Sequence, residues 1–316
     1  MKTVKYTFIA LVALVFLGVT VQAQILYGIS HIGRDGLSTL HIINTETGVA
    51  NPVGPIGLER CGSMDFNAQG RLFAICERAD GSDITVLVEI NTISGAGTEV
   101  GPTDNCEAWT DMSFRNGDNT LFATGYNFDP MSPCTETMGL VQNWLTTINT
   151  QTGLSSLIAI INQVEGGGNA AAFSPTDILY YLVGDFNTPG INVLYTINQL
   201  TGAANIISNP TYPTITADDL PRTNAMDFNQ STGVLYLSIN SGGGTIVVPR
   251  QNFLGTLDID TGVVTVIGPT VLGMDAIAFT PDTREIPTLS EWGLIAMAGI
   301  LGFIGFVVIR RRQAAA

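Results

Sequence analysis

The chain has 316 residues and carries 27 acidic against 13 basic side chains, giving a formal net charge of −14 at pH 7. The acidic excess lies in residues 24–285, where 26 Asp and Glu accompany eight Arg and no Lys. Such a surface repels phosphate backbones and anionic headgroups, because affinity for nucleic acids comes largely from cationic side chains that displace counterions. We therefore expect no nucleic-acid partner.

The N-terminus has the features of a secretory signal peptide. Two lysines precede an apolar run from Phe8 to Val19, and the small residue Ala23 stands directly before the expected cleavage point. The signal would occupy residues 1–23 and lead the chain to the Sec export machinery, so that the exported chain begins at Gln24. A retained N-terminal membrane anchor is the alternative.

A turn motif recurs five times along the exported chain. Ile-Asn or Leu-Asp is followed, after two variable residues, by Thr or Ser and then Gly, with the glycines 47, 58, 49 and 60 residues apart. The Asn or Asp side chain caps such a turn, and Gly takes the positive φ that closes a hairpin. The pattern predicts five hairpins, at 44–48, 91–95, 149–153, 198–202 and 258–262.

A second element alternates with these hairpins: a short strand ending in Phe, a turn, and an aromatic-rich strand, as in Met64–Phe66 with 72–74. One unit therefore holds four antiparallel strands, which is typical of a propeller blade. The first unit lacks the Phe strand, and Ala276–Phe279 near the far end would supply it. We expect an all-β, five-bladed β-propeller over residues 24–285, closed by the C-terminal strand; an open sandwich or a solenoid is the alternative.

The repeats also carry a family resemblance. The run Leu-Tyr-x-Ile-Asn-x-x-Thr-Gly, found at Leu194–Gly202, is similar to the blades of secreted bacterial propellers with YVTN-like repeats. The resemblance implies the fold and says nothing about a ligand.

Four cysteines in an exported chain predict disulfide bonds, for which three pairings are possible. Counting back along the hairpin of the second unit brings Cys61 opposite Cys76, within disulfide reach. Cys106 and Cys134 fall on one rim of the third unit. We predict the bonds Cys61–Cys76 and Cys106–Cys134, and the spacing of the four cysteines does not favour a zinc site.

Five positions, four of them polar, stand just before the five innermost strands, where a propeller would bring them to one mouth of its central channel. These positions are Gly62, Thr110, Asn169, Asn224 and Asp275, with Asp111 adjacent. We consider Asp111, Asn169, Asn224 and Asp275 candidate ligand-binding residues. Paired acids at such a mouth, with Asp65 and Asp227 nearby, would suit a carbohydrate-active hydrolase that needs an acid and a nucleophile or base. The alternative is that these side chains satisfy backbone groups at strand ends.

No sequence motif for nucleophilic, metal or phosphate chemistry is found in the chain. The only histidines, His31 and His41, are expected in packing or surface roles. We expect no cofactor; Ca²⁺ is conceivable at the loops Glu165–Asn169 and Asp218–Asp219. The favoured function is non-catalytic binding of a surface glycan or a protein, and the hydrolase is the alternative.

The chain ends on a segment of three parts. The first is the motif Ile286, Pro287, Thr288, Leu289, Ser290, Glu291, Trp292 and Gly293. From Trp292 to Ile309 there is no charged residue, and at a rise of about 1.5 Å per residue such a helix can cross a bilayer core. The last part, Arg310, Arg311 and Arg312, marks the cytoplasmic side, so the rest of the chain lies outside.

This tail, residues 286–316, resembles the IPTL-CTERM sorting signal of Gram-negative bacteria, a relative of the PEP-CTERM signal. The resemblance implies processing by an exosortase-type transpeptidase. We therefore expect an exported protein that is first anchored in the inner membrane and is then attached to the cell surface or released. A permanently anchored membrane protein is the alternative.

Overall fold

The computed structural model describes two compact units, Gln24–Asp282 and a second unit of Met1–Ala23 with Thr283–Ala316. The residues described are 23–31, 36–82, 84–103, 108–127, 142–162, 164, 167–184, 192–215, 221–241 and 251–282, with 298, 299, 301–303, 310, 311 and 313 near the C-terminus. Residues 1–22 of the predicted signal peptide (1–23), Cys106 and Cys134 lie outside them.

In the described residues of the larger unit, every pair of neighbouring strands within a sheet is antiparallel. The unit's first sheet has seven strands in the order β19-β1-β2-β3-β4-β5-β6. Their bounds are β1 (Leu26–Ser30), β2 (Leu37–Ile43), β3 (Ala50–Phe66), β4 (Leu72–Glu77), β5 (Thr85–Ile90), β6 (Gly97–Pro102) and β19 (Met274–Phe279).

Three further sheets of four strands each follow in chain order. The second contains β7 (Ala108–Phe114), β8 (Leu121–Asn127), β9 (Gln142–Ile148) and β10 (Ser155–Ile161). The third contains β11 (Gly167–Phe173), β12 (Leu179–Gly184), β13 (Asn192–Ile197) and β14 (Ala204–Ser208). The fourth contains β15 (Arg222–Asn229), β16 (Val234–Ser241), β17 (Gln251–Leu257) and β18 (Val264–Thr270).

The prediction of five separate blades closed into a propeller is wrong, because the described strands form four sheets and no closed barrel. The reason is β3, a strand of 17 residues that pairs first with β2 and then with β4. No Asn-capped turn interrupts it, so the first two repeat units share one sheet. The all-β architecture fits a propeller-like fold, but closure by five blades is not shown.

The expected pairing of the first and last strands of the larger unit within one sheet is confirmed. β19 runs antiparallel to β1, with Leu26 opposite Phe279 and Gly28 opposite Ile277. The positions predicted just before the innermost strands lie within them, in β3, β7, β11, β15 and β19. These five strands contact one another in this order, and β19 contacts β3.

The five predicted hairpins are confirmed, together with the side-chain caps and the positive-φ glycines expected in their turns. In each, the side-chain oxygen of the Asn or Asp accepts the N–H groups two and three residues ahead; Asn44 Oδ1 is 2.9 Å from both nitrogens. The other four turns repeat these bonds from Asn91, Asn149, Asn198 and Asp258. The closing glycines have φ values from 68° to 81°, which a residue with a Cβ rarely adopts.

Aromatic pairs form the core between neighbouring sheets. Phe73 packs on Phe114, Phe122 on Phe173, Tyr180 on Phe228 and Tyr236 on Phe279, with ring centroids 5.0–5.8 Å apart. In each pair, an aromatic residue of one sheet meets the recurring Phe of a neighbouring sheet, at or next to the end of β7, β11, β15 or β19. The recurring Phe is therefore the residue that joins one sheet to its neighbour.

The smaller unit is described only at short helical stretches, which include residues 301–303. Among the residues described, no helix is both long and apolar enough to cross a membrane. The transmembrane helix predicted at 292–309 falls mostly on residues outside the description and stays a prediction.

Candidate functional site

Five strands carry an irregularity at the same position relative to their closing Phe. Each register shift leaves one or more residues without a partner on the neighbouring strand, and these include Gly62, Thr110, Asn169, Asn224 and Asp275. A β-bulge bends its strand and redirects the unpaired side chain, and bulges are enriched next to active and binding sites. The five positions singled out in the sequence are thus bulge positions.

The bulge residues converge on one pocket of about 240 Å³. All five line it, together with three larger side chains, Trp109, Tyr126 and Arg222. Trp109 and Tyr126 come from neighbouring strands of the second sheet, and Arg222 begins β15. The pocket therefore draws its wall from β3, β7, β8, β11, β15 and β19.

Three of the four candidate ligand-binding residues, Asn169, Asn224 and Asp275, line this pocket. The fourth, Asp111, does not, because it lies one residue beyond the bulge and is only 2 % exposed. Its carboxylate accepts the backbone N–H of Met112 and that of Ala171, each over 2.9 Å. Asp111 therefore joins β7 to β11 and is not open to a ligand.

Asp275 is held by two side chains. The Nε2 atom of His31 lies 2.6 Å from one carboxylate oxygen, and Nδ2 of Asn224 donates to the other over 2.8 Å. Each carboxylate oxygen can accept two hydrogen bonds, so these contacts orient the group without using up its acceptors. His31, expected in a packing or surface role, instead positions the one acidic residue of the described pocket wall.

The remaining wall combines hydroxyl and aromatic groups. Thr110 and Thr124 share a hydrogen bond of 2.9 Å between their hydroxyls. Burial raises the pKa of the Tyr126 phenol, and the positive charge of Arg222 opposes this rise. The phenol therefore stays protonated at neutral pH, where it can both donate and accept a hydrogen bond.

Beneath the pocket lie three buried aspartates, Asp65, Asp111 and Asp227, each of which bonds a neighbouring strand. Asp65 accepts the N–H of Phe114 over 2.6 Å, and Asp227 accepts that of Phe279 over 2.6 Å. Each also accepts the N–H of the residue that follows it in its own strand. These three carboxylates serve as acceptors for backbone donors, which was the alternative interpretation of the sequence.

Burial dominates the ionisation of these aspartates. Loss of solvation raises the pKa of Asp65 to about 7, although hydrogen bonds from Phe114, Phe66 and Ser113 oppose the rise. Burial likewise raises the pKa of Asp111 well above its usual range, against the N–H groups of Ala171 and Met112. The pKa of Asp227 is raised by burial and then by the charge of Asp65.

The predicted disulfide Cys61–Cys76 is confirmed, with Cα atoms 3.9 Å apart. Both cysteines are buried, at 0 % and 1 % exposure. The two cysteines are not opposite each other as the count along the hairpin predicted, because Cys61 lies in the register shift of β3 between Glu59 and Ser63. Since Cys61 directly precedes Gly62, the bond joins this irregular part of β3 to β4 at the edge of the pocket. The partner bond Cys106–Cys134 lies outside the described residues and stays a prediction.

The Ca²⁺ loops stay a prediction. Asp218, Asp219 and Glu165 lie outside the described residues, and within the described part of the chain no group of three acidic, His or Cys side chains could hold a metal ion. The absence of a cofactor stays an expectation.

Sequence reasoning missed Trp109, Tyr126 and Arg222. For two of them the sequence contained a weak indication that they lie at the pocket, because Trp109 directly precedes Thr110, and Arg222 stands two residues before Asn224. Tyr126 had none, since it lies at the end of a different strand. It reaches the pocket only because β8 pairs with β7, where Trp109 faces Gly125.

Comparison of the sequence with known protein families identifies the tail. Residues 286–313 match the IPTL-CTERM motif, which confirms the predicted sorting signal and indicates an exported protein. No curated protein matches the sequence of this chain. The similarity to YVTN-like repeats stays a prediction.

Several solved structures share a weak likeness with the larger unit. A protein of unknown function from Bacteroides caccae is 13 % identical in sequence. The match covers 84 % of this chain and 100 % of that protein, with a TM-score of 0.45. TolB from Acinetobacter baumannii is 12 % identical, with 84 % of this chain and 57 % of its own covered and a TM-score of 0.45. A proposed 6-phosphogluconolactonase from Bacteroides uniformis is 11 % identical in sequence. The match covers 78 % of this chain and 83 % of that protein, with a TM-score of 0.40. Because all three TM-scores are below 0.5, they support no inference about fold, activity or ligand.

Proposed function

We propose that this protein is an exported binding protein, sorted through its C-terminal tail, whose pocket holds a small polar ligand outside the cytoplasm. The observation that supports the binding function is the convergence of five bulge residues on one pocket. A bulge interrupts ladder hydrogen bonds and redirects the unpaired residue, and bulges are enriched beside functional sites, so its repetition at the same place in five strands supports a binding role for this pocket.

Binding is favoured over hydrolysis by the arrangement of the acids. A glycoside hydrolase needs two carboxyl groups beside the scissile bond, about 5–10 Å apart. Of the described pocket wall, only Asp275 is acidic. Asp65, Asp111 and Asp227 are buried and accept backbone N–H groups, so they are committed to joining strands. The carbohydrate-active hydrolase remains the second candidate and would need an acid from outside the described wall.

The location rests on the tail. An IPTL-CTERM motif implies processing by an exosortase-type transpeptidase, and we propose that the chain passes through the Sec machinery with its signal peptide removed. The protein would be held in the inner membrane by the helix at 292–309 and then be attached to the cell surface or released. A disulfide between Cys61 and Cys76 suits this oxidising location.

Native mass spectrometry tests the binding function. The exported protein, purified from expressing cells, is incubated with a low-molecular-mass fraction of envelope extract, and the bound species is identified before and after release. We expect a bound small molecule that is recovered unchanged. Chemical conversion of the released molecule would favour the hydrolase, and no retained species would contradict the binding function.

Two variants make this experiment specific to the pocket. Gly62 has open space at the position of a Cβ, whose nearest atom would be 3.9 Å away, so Gly62→Leu should fill the pocket without disturbing the sheet. Asn205→Ala is the matched control, because Asn205 is exposed on the outer strand β14. Retention should be lost in the first variant and kept in the second.

A further inference from the structure

The pocket presents a balanced set of polar groups, which restricts the ligand it can hold. Arg222 contributes a positive charge and Asp275 a negative one, and two amides, Asn169 and Asn224, supply both donors and acceptors. A simple anion would meet the Asp275 carboxylate, and a simple cation would meet the guanidinium. Hydroxyl groups suit such a wall, because each one donates and accepts a hydrogen bond.

The charge of the whole domain favours a neutral ligand over an acidic one. Residues 24–285 contain 26 acidic residues and eight arginines. The resulting negative potential repels anions before they reach the pocket. Acidic sugars and phosphorylated molecules are therefore disfavoured relative to their neutral counterparts.

The aromatic side of the pocket suits a ring with one apolar face. Trp109 is partly buried and packs against the hydrophobic cluster that contains Cys61 and Met112, and its remaining surface lines the pocket together with Tyr126. It lies opposite Gly125, which has no side chain, in the neighbouring strand. Both side chains are partly exposed. A pyranose ring has hydroxyl groups around its edge and C–H groups on its face, and a flat aromatic side chain accommodates that face with little ordering cost.

The size and the rigidity of the site point to a single ring. A volume of about 240 Å³ is below the range of roughly 300–1,000 Å³ that holds drug-sized molecules. Asp275 is fixed by His31 and Asn224, and Thr110 is fixed by Thr124. Groups held in place before binding lose little conformational entropy when the ligand arrives.

We infer that the pocket binds one neutral sugar residue, free or at the end of a glycan, with its hydroxyl edge on Asn224 and Asp275 and one face on Trp109. This inference rests on the proposed binding function and specifies its ligand class. It assigns Asn224 and Asp275 to vicinal hydroxyls, because the 2.8 Å bond between their side chains keeps the two groups side by side.

Saturation-transfer NMR and calorimetry on the exported protein test this inference. The probes are glucose, galactose, mannose and N-acetylglucosamine, compared with glucuronate, galacturonate and the zwitterions alanine and glutamate. We expect at least one neutral sugar to bind, and to bind at least about tenfold more tightly than either uronate.

Four variants and one control examine the assigned contacts. Trp109→Ala and Asn224→Ala should each weaken binding of that sugar by about tenfold or more, and Trp109→Phe should restore most of the affinity by restoring the flat apolar face. Gly62→Leu should abolish binding, whereas Asn205→Ala should leave it unchanged. Binding that survives Gly62→Leu would place the sugar elsewhere and would overturn the inference.

The outcomes separate this inference from the function on which it rests. Tighter binding of uronates or amino acids, or no binding of any neutral sugar, overturns the neutral-sugar inference. If native mass spectrometry still finds a small molecule bound to the wild type and not to Gly62→Leu, the proposed binding function stands although the neutral-sugar inference is wrong. If it finds none, both are wrong.

Discussion

The carboxylate of Asp227 accepts the backbone N–H of Phe279 over 2.6 Å, which joins β15 of the fourth sheet to β19 of the first. Asp65 makes the equivalent bond to Phe114, and Asp111 to Ala171. Each bond runs between strands that belong to different sheets. Together with the aromatic pairs, these buried carboxylates hold neighbouring sheets against one another below the pocket.

The first prediction concerns pH. The pKa of Asp65 is about 7 in the folded protein, against 3.8 for an ordinary Asp, so the folded state keeps a proton that the unfolded state loses. The contribution of Asp65 to the free energy of unfolding is then fully present below pH 4, and it is lost as the pH rises towards and through 7. We expect the melting temperature of the exported protein to be several degrees higher at pH 4.5 than at pH 8. Circular dichroism at matched ionic strength measures it.

Asp65→Asn is the variant for this test. It keeps one acceptor oxygen but cannot ionise, so the melting temperature should fall at pH 4.5 through loss of one hydrogen bond and should depend less on pH. An undiminished pH dependence in Asp65→Asn would assign the effect to other groups. Asp80→Asn is the control, because Asp80 is exposed in a turn and its pKa is lowered by hydrogen bonds from Ser82.

The second prediction concerns the disulfide. Cys61 and Cys76 are 15 residues apart, and closing a loop of that size stabilises a folded domain by about 3 kcal/mol. The double variant Cys61→Ala/Cys76→Ala should lower the free energy of unfolding by roughly this amount in urea titrations. Equal midpoints for the variant and the unreduced wild type would show that the bond contributes nothing. Peptide mapping without reductant should also find Cys106 linked to Cys134.

The third prediction concerns a close contact between two sheets. A Cβ on Gly101 would lie 2.1 Å from the backbone oxygen of Thr152 in the turn of the second sheet, and backbone atoms cannot move aside easily. Gly101→Ala should therefore destabilise the domain by about 1–3 kcal/mol, measured by the same titrations. Gly62→Ala, with open space at its Cβ, is the matched control. Similar effects of both substitutions would contradict the close approach.

The fourth prediction concerns the tail. Replacing Arg310, Arg311 and Arg312 with Gln removes the charges that retain the C-terminus in the cytoplasm. We expect unprocessed precursor to accumulate, seen as a larger species by immunoblot and confirmed by intact-mass measurement. Conservative Lys replacements should mature normally. Normal maturation of the Gln variant would argue against processing through this signal.

Local patterns predicted much of the strand structure. The Asn-capped turns, the recurring Phe and the Cys61–Cys76 bond all follow from spacings within about one repeat unit, and the structure confirms them. The pocket positions were also predictable, because Gly62, Thr110, Asn169, Asn224 and Asp275 stand at one distance from the Phe of each unit. Their ligand-binding role remains a proposal.

Other features depended on long-range contacts. The sequence contains no signal that β3 continues from one unit into the next, so the number of separate sheets was predicted wrongly. Asp111 was placed with the pocket because it is adjacent to Thr110, but side chains alternate along a strand, and one residue's difference turns it away from the pocket towards Ala171.

By itself, the sequence determined the hairpins, the disulfide beside the pocket and the sorting tail, because each depends on residues close together in the chain. Only the tertiary structure decided that His31 holds Asp275, that Trp109, Tyr126 and Arg222 complete the pocket, and that three aspartates become buried links between sheets. These features depend on side chains from strands far apart in sequence, and their burial and orientation are set by how the sheets pack.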